Sequence, residues 1–536
     1  MLSSPSPLSP RPLQWALAAL LLACGGGPTA SLEPAAPPEA IEEADPAEFE
    51  MSASLAAPSF TEVVAGSGEV RLAWSAGESP VESFQLRFRA QGGAWDYRSS
   101  LGKATTHVVS GLNNGQSYDF QVRIKGKLAT TTSAYSATRS ATPVAGAPVE
   151  PGGDCSDVAA RHITVAGAGG RDGKTLASAG TLADLSDLVA AVGPGGRVCI
   201  HAGTYRSGHS VSRGGSAGKP VIIQGVGGRP VFESTFEAST RAKSGATVFK
   251  VQASHLTFEN LEFRHVGTCF AFGSTADVQG VTLRGFRAEN LATCVDIARS
   301  SEARVANLTV EDAMILQFTR GGIFLTSHAS GVKLDRVYID MQPEKIGGQG
   351  SDYPVGIALY DSVRDVLVQR TTVLNVVGQK TGYTQGDGID GEQTAQDIIV
   401  EDSYFRGSQD GCVDTKARNM LIRNTVAVGC KRNFRLWQYA TPGPRVEGVS
   451  SYQPSDAHFF MHSGQTTARD IAVRSSNSAK LVAYDCSGTC TFDVDGMKGT
   501  LADPSRLNAA SVRNSSLVYG QAVTLPAIPN PTQFQP

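Results

Sequence analysis

From residue 258 onward the apolar positions of this chain recur at a nearly constant interval. Phe258, Leu283, Val310, Leu334, Val368, Val400, Ile422, Val446 and Val473 each centre a short stretch in which apolar and polar residues alternate. The successive gaps are 25, 27, 24, 34, 32, 22, 24 and 27 residues. Alternation is the period of a strand with one buried face. A repeat near 25 residues with two longer steps is that of a solenoid whose coils carry loop insertions. Asn260, Asp312, Asp402 and Asn424 fall two residues after a centre, where a coil must bend and Asn or Asp tolerates the turn. A sandwich would show hairpin signals roughly every 8–12 residues, and a propeller a period of about 40. The fold class expected is therefore all-β: a parallel β-helix over residues 155–500, with a cap and tail over 501–536.

A second set of positions runs in step with the first. Val295, Ile323, Ile357, Ile389, Val413 and Phe434 align as inward residues, and their outward successors are Asp296, Phe324, Ala358, Asp390, Asp414 and Arg435. Two positions further on lie Glu392, Lys416 and Trp437. Strands stacked at the ~4.8 Å spacing would line these up as two columns, Asp390/Asp414/Arg435 and Glu392/Lys416/Trp437. The coils that carry this charge also carry the long insertions, residues 342–356 and 376–388, which are placed to wall a groove.

Upstream the pattern is different. Residues 58–143 hold short alternating strands, Val70–Trp74, Phe84–Phe88 and Tyr118–Ile124, with Gly-rich turns between them. Trp74, followed by Leu112-Asn-Asn-Gly-Gln-Ser-Tyr118, resembles a fibronectin type III module, and the resemblance implies that Tyr118 ties a strand end to the loop before it. No catalytic constellation sits there, so a spacer role is expected. Residues 144–154 read as a linker. Thr181 to Ala191 is the one amphipathic helix, with Leu182, Leu185, Leu188 and Val189 on one face and Thr181 as its N-cap. Ala202-Gly-Thr-Tyr205 and Gly218-Lys-Pro-Val-Ile-Ile-Gln-Gly225 follow it. This succession resembles the N-terminal end of right-handed parallel β-helix proteins, in which a short helix caps the first coil.

The first 24 residues read as an export signal. Arg11 precedes the apolar run Trp15–Ala23, which is too short to span a bilayer, and the run ends in Leu21-Leu22-Ala23-Cys24 followed by Gly25-Gly26-Gly27. That resembles a bacterial lipobox and implies lipidation of Cys24, with an outer-membrane or cell-surface location. An ordinary secretory signal is the alternative. Residues 25–57, rich in Ala, Pro and Glu, read as a tether. The other eight cysteines suit an oxidising compartment. Cys486 and Cys490 are spaced to close a tight loop, and Cys269 and Cys294 lie one coil apart. Metal ligation is a weaker reading because no His accompanies the pairs at zinc spacing. Net charge is −3, so the chain carries no electrostatic footprint for nucleic acid. A monomer is expected.

The chemistry concentrates between Gly382 and Tyr439. Asp387 and Asp390 occur as GDGID and Asp410 and Asp414 as DGCVD, one coil apart. This pair of motifs resembles family nine of the polysaccharide lyases and implies that the four aspartates hold Ca²⁺ with a Lys as base, although here the second motif is one residue longer than the family's usual D-D-G-x-D. Lys416-Ala-Arg-Asn419 with Phe434-Arg435-Leu436 is also similar to chondroitinase B-like and alginate-lyase enzymes, where a Lys and an Arg one coil later do the work. Lys416 is therefore expected as base and Arg435 as carboxylate clamp. Trp437, Lys431, Arg432 and Glu392 are expected on the substrate. The function implied is calcium-assisted β-elimination of a uronate-containing, acidic polysaccharide.

A hydrolase is the alternative, but the polygalacturonase signatures NTD and GHG are absent, RIK occurs only as Arg123-Ile124-Lys125 in the N-terminal module outside the β-helix, and the signatures of methylesterases are absent. A non-catalytic polysaccharide binder is another. The charges could equally be a surface ion ladder, worth about 0–1 kcal/mol per pair. As outward positions, Asp390, Asp414, Lys416 and Arg435 are expected to tolerate substitution within about 1 kcal/mol of folding stability.

Overall fold

The computed structural model describes residues 55–531, apart from 66–68, 77–80, 82, 99–100, 102–104, 111, 114, 126–131, 144–154, 156–157, 274–275, 298–301, 380–383, 487–489 and 509–510. Cys24, the export signal, the linker and nearly all of the tether lie outside the described residues.

The N-terminal module consists of two antiparallel sheets. One contains Ser59–Ala65, Glu69–Ser75 and Thr106–Ser110; the other contains Asp96–Arg98, Ser83–Ala90, Tyr118–Lys125 and Arg139–Ala141. The alternation read from the sequence delivers Val70, Leu72, Trp74, Phe84, Leu86, Phe120, Val122 and Ile124 to one core. The Asn113 backbone N–H donates to the Tyr118 hydroxyl at 3.0 Å, so this Tyr does tie its strand to the preceding loop.

The larger part is a parallel β-helix. Its 29 described strands form one continuous hydrogen-bonded array in which each named coil-to-coil pairing is parallel. Each coil contributes to three ladders. The first runs Phe258, Leu283, Val310, Leu334, Val368, Val400, Ile422 and Val446, as the spacing predicts. Its next member is Ala468, not Val473; Val473 pairs with Ser451 in a neighbouring ladder. Both are buried in the single long strand Ala457–Arg474, so the apolar pattern alone could not separate them.

Asn260, Asp312, Asp402 and Asn424 all have φ between 48° and 57°, the left-handed bend expected of them. Arg336 and Arg370, at 54° and 49°, take the same conformation without an Asx side chain. They spend their guanidinium groups on Asp312 and Asp335 across the coil.

The N-terminal end is closed by a 3-10 turn, Leu182–Asp184, that runs into the α-helix Leu185–Val192. The Thr181 N–H donates to the Asp184 carboxylate at 2.7 Å. Leu182, Leu185, Leu188 and Val189 are buried against the first coil. At the other end the parallel pairing continues past residue 500: Ser511–Tyr519 lies in register on Cys490–Leu501. Its exposed Ser, Arg and Asn side chains suit a sheet edge.

Cys486 pairs with Cys490 as the spacing predicts, and Cys155–Cys199 and Cys412–Cys430 are also disulfides. Cys269 and Cys294 face one another across a coil step as buried thiols.

Candidate functional site

The strands Asp387–Gly391, Gly411–Thr415 and Arg432–Trp437 lie side by side on one face. Ile389 pairs with Val413 and Val413 with Phe434, all three fully buried in the core. Alternation then places Asp390, Asp414 and Arg435 in a column on the outer side. The column continues upstream through Ala358 and downstream through Phe460. Two residues further along lies the second column, and it is longer than the sequence reading had it. Tyr360 precedes Glu392, Lys416 and Trp437 there; past Leu436 the register shifts by one residue, so that Trp437 pairs with Ser463 and His462 lies beside the column with its ring against the indole.

Outward does not mean exposed. Asp390, Asp410, Asp414 and Arg435 keep only 8, 3, 2 and 5% of their accessible surface. The alternative of a surface ion ladder, and the tolerance of substitution expected of outward positions, are therefore corrected. These groups form a buried network, where pairing matters far more than at a surface.

Its contacts are specific. Arg435 Nη1 donates to Asp410 Oδ2 at 3.0 Å and also to Asp414 Oδ2. The other Asp414 oxygen accepts from the Trp437 indole N–H at 2.8 Å. The other Asp410 oxygen lies 3.4 Å from Arg432, which also bonds Asp456 at 3.1 Å. Asp390 accepts from the Tyr360 hydroxyl at 3.0 Å and lies 3.4 Å from Lys416 Nζ. Asp387 accepts from the Gly411 N–H at 2.7 Å.

The charges are unevenly balanced. Burial, with Asp414 and Glu392 nearby, pushes the Asp390 carboxyl up to about 7 against the pull of Lys416. Burial and the three other aspartates push Asp387 well above the usual carboxylate range. Lys416 is driven the other way from what a base requires. Burial favours its neutral form, but Asp414, Asp390 and Glu392 outweigh burial and raise its pKa. It is an ammonium bound to Glu392 at 3.0 Å. In this arrangement Lys416, expected as the base, stands as a cation with a fifth of its side chain open.

The remaining expected residues divide. Trp437 stacks against Tyr439 (centroids 6.0 Å, 16° between planes) and lies 4.0 Å from the His462 ring. Glu392 serves Lys416. Lys431 reaches Thr384 on the 376–388 insertion at 2.8 Å, and Arg432 is held by two carboxylates over the Phe460 ring. These last two brace the site more than they face a substrate. The two insertions do join: Gln379 bonds Asp352 at 2.9 Å, Gly350 N–H donates to Val377 O, and Lys243 pairs with Asp352 from a coil much nearer the N-terminus. Tyr360 and His462 were missed: Tyr360 is found by extending the second column one coil upstream, two positions on from Ala358, whereas the register shift after Leu436 hides His462 from the spacing.

The calcium expectation meets a difficulty of geometry. Among the described residues no group of three or more His, Cys, Asp or Glu side chains is arranged to hold a metal ion. All four carboxylate oxygens of Asp410 and Asp414 already face an arginine or the Trp437 indole N–H. The four aspartates as they stand do not fit a calcium cradle.

No protein-family model matches the chain, and no curated protein is similar to it in sequence. Solved structures are similar in fold. The pectate lyase Pel9A matches with a TM-score of 0.42 at 13% identity, over 62% of this chain and 78% of its own. A lacto-N-biosidase from Eubacterium ramulus matches at 0.45 and 10%, over 63% and 67%. A family 28 exopolygalacturonase from Yersinia enterocolitica matches at 0.36 and 14%, over 87% and 100%. The class of this protein, an all-β chain with a long parallel β-helix, rests on its own strand register.

Proposed function

We propose that the protein is an enzyme that cleaves a uronate-containing polysaccharide by β-elimination at the Asp387–Trp437 strip. The observation that carries this reading is the place of Asp390, between the Tyr360 hydroxyl and the Lys416 ammonium on the outer face of the helix. Elimination requires a positive charge for the uronate carboxylate and a group that takes the proton beside it. Lys416, the ammonium with an open flank, supplies the charge. Asp390 takes the proton, since a carboxyl that titrates near 7 is a stronger base than an ordinary carboxylate at the same pH; the released pair forms the ring double bond, the bond to the 4-linked sugar breaks, and the departing oxygen takes a proton from water. Tyr360, a hydroxyl kept protonated by burial and by Asp390, steadies that carboxylate. Trp437 and Tyr439 offer flat faces for sugar rings. No step is assigned to a metal ion.

Hydrolysis is the second reading, favoured by the same neighbouring carboxyls, Asp387 and Asp390, one of which would then protonate the leaving oxygen. A panel of polyuronides separates the two. Ultraviolet absorbance of an unsaturated product is expected on at least one polymer. New reducing ends without that absorbance would mean hydrolysis, and neither signal on any polymer would leave only a binding role.

The chain is further proposed to work outside the cytoplasm, anchored through lipid on Cys24. Cys24→Ser should move it from the membrane to the soluble fraction; a variant that stays on the membrane without accumulating unprocessed would refute the anchor.

A further inference from the structure

We propose that Arg435 is the resident cation of the aspartate strip, filling the position a divalent ion would need, so that the native chain binds no calcium there and loss of the guanidinium opens a cation site. The argument is geometric. Arg435 stands in register with Asp390 and Asp414, one strand further along the same column. From there a single nitrogen, Nη1, reaches one oxygen each of Asp410 and Asp414, the first just before the strand Gly411–Thr415 and the second within it. A hard cation bridging that pair would have to occupy the place of this nitrogen. The guanidinium is also walled in, 5.2 Å from the Trp437 ring centre and 5.6 Å from that of Phe460.

The backbone beneath is shaped to admit it. A Cβ at Gly411 would stand 2.8 Å from Asp387 Oδ1, 3.2 Å from Asp414 Cβ and 3.4 Å from Arg435 Cδ. No side chain fits there without displacing the Asp387 carboxylate from the Gly411 N–H. Glycine at 411 and arginine at 435 thus belong to one arrangement, with the side-chain space at one position given up to the long cation at the other. Removing the guanidinium leaves Asp387, Asp410 and Asp414 around an emptied volume, with Asp390 further along the strand of Asp387. Oxygen donors in excess of positive charge are what calcium or a lanthanide binds.

The inference concerns cation binding in the absence of substrate, so it stands or falls separately from the reaction proposed above. The test uses the intact chain and Tb³⁺, whose luminescence the adjacent Trp437 would sensitise, with Ca²⁺ as competitor. Arg435→Gln is expected to give a saturable signal that excess calcium displaces, with binding roughly tenfold or more tighter than in the native chain, and calcium should raise its melting temperature. Arg435→Lys, which keeps the charge, should behave like the native chain. Saturable calcium binding by the native chain that Asp414→Asn abolishes would overturn the proposal, and this measurement does not depend on whether Arg435→Gln folds. A folded Arg435→Gln that binds no more Tb³⁺ than the native chain would overturn it as well.

Discussion

Asp390→Asn should lower the turnover of polyuronide cleavage by roughly 10²–10⁴-fold, the usual loss when a general acid–base group is removed. The amide keeps an oxygen for the Tyr360 hydroxyl and resembles the protonated carboxyl in size, so substrate binding should change little. The effect then falls on the barrier, and kcat should drop with KM nearly unchanged. The pH profile of cleavage by the native chain reports which way the proton moves. As the base of an elimination, Asp390 must be ionised, and activity should rise as pH climbs through about 7. A profile that falls through that pH would instead make it the acid of a hydrolysis.

The same group makes folding stability depend on pH. Its folded pKa, about 7, lies above the ordinary 3.8, so between those values the folded chain holds a proton that the unfolded chain has lost. The contribution is full below about 4 and is lost as pH rises through about 7. Denaturant titrations across that window should show Asp390→Asn flattening the slope. An unchanged slope would remove Asp390 from the titrating network.

Arg435→Ala is expected to cost about 3–5 kcal/mol of folding stability, because it leaves buried carboxylates without their cation. Asp410 and Asp414 both lose a partner at once, and Asp387 loses a positive charge that offsets its acidic neighbours. Chemical denaturation at neutral pH measures this directly. Lowering the pH should recover part of the loss, since protonation does for the stranded aspartates what the guanidinium did. A loss below about 1 kcal/mol would mean that water reaches the strip and that the pairs behave as surface pairs.

That contrast marks where the amino-acid sequence stops being informative. The inward ladder from Val295 to Phe434 and the column Asp390/Asp414/Arg435 were legible because a strand has a period of two, so a coil repeat in register predicts both faces together. The turn residues Asn260, Asp312, Asp402 and Asn424 were legible for a local reason, their tolerance of the left-handed conformation. Val473 failed where two apolar ladders pass through one long strand, Ala457–Arg474, and nothing in the pattern says which ladder a residue joins. Arg336 and Arg370 hold the same turn conformation as the Asx residues but carry no local signal for it.

The sequence by itself determined that this is a β-solenoid, which side of each strand faces the core, and that acids, cations and an aromatic residue share one strip. Those are consequences of spacing along the chain. Only the tertiary structure decided that the strip is buried, that Arg435 is shared between Asp410 and Asp414, and that Lys416 is bound as an ammonium by Glu392 and Asp390. Burial of an outward position depends on what neighbouring coils and insertions lay over it. The protonation state of each group depends on charges that lie 20 or more residues away in the chain yet within a few ångströms in space, and no local pattern carries that information.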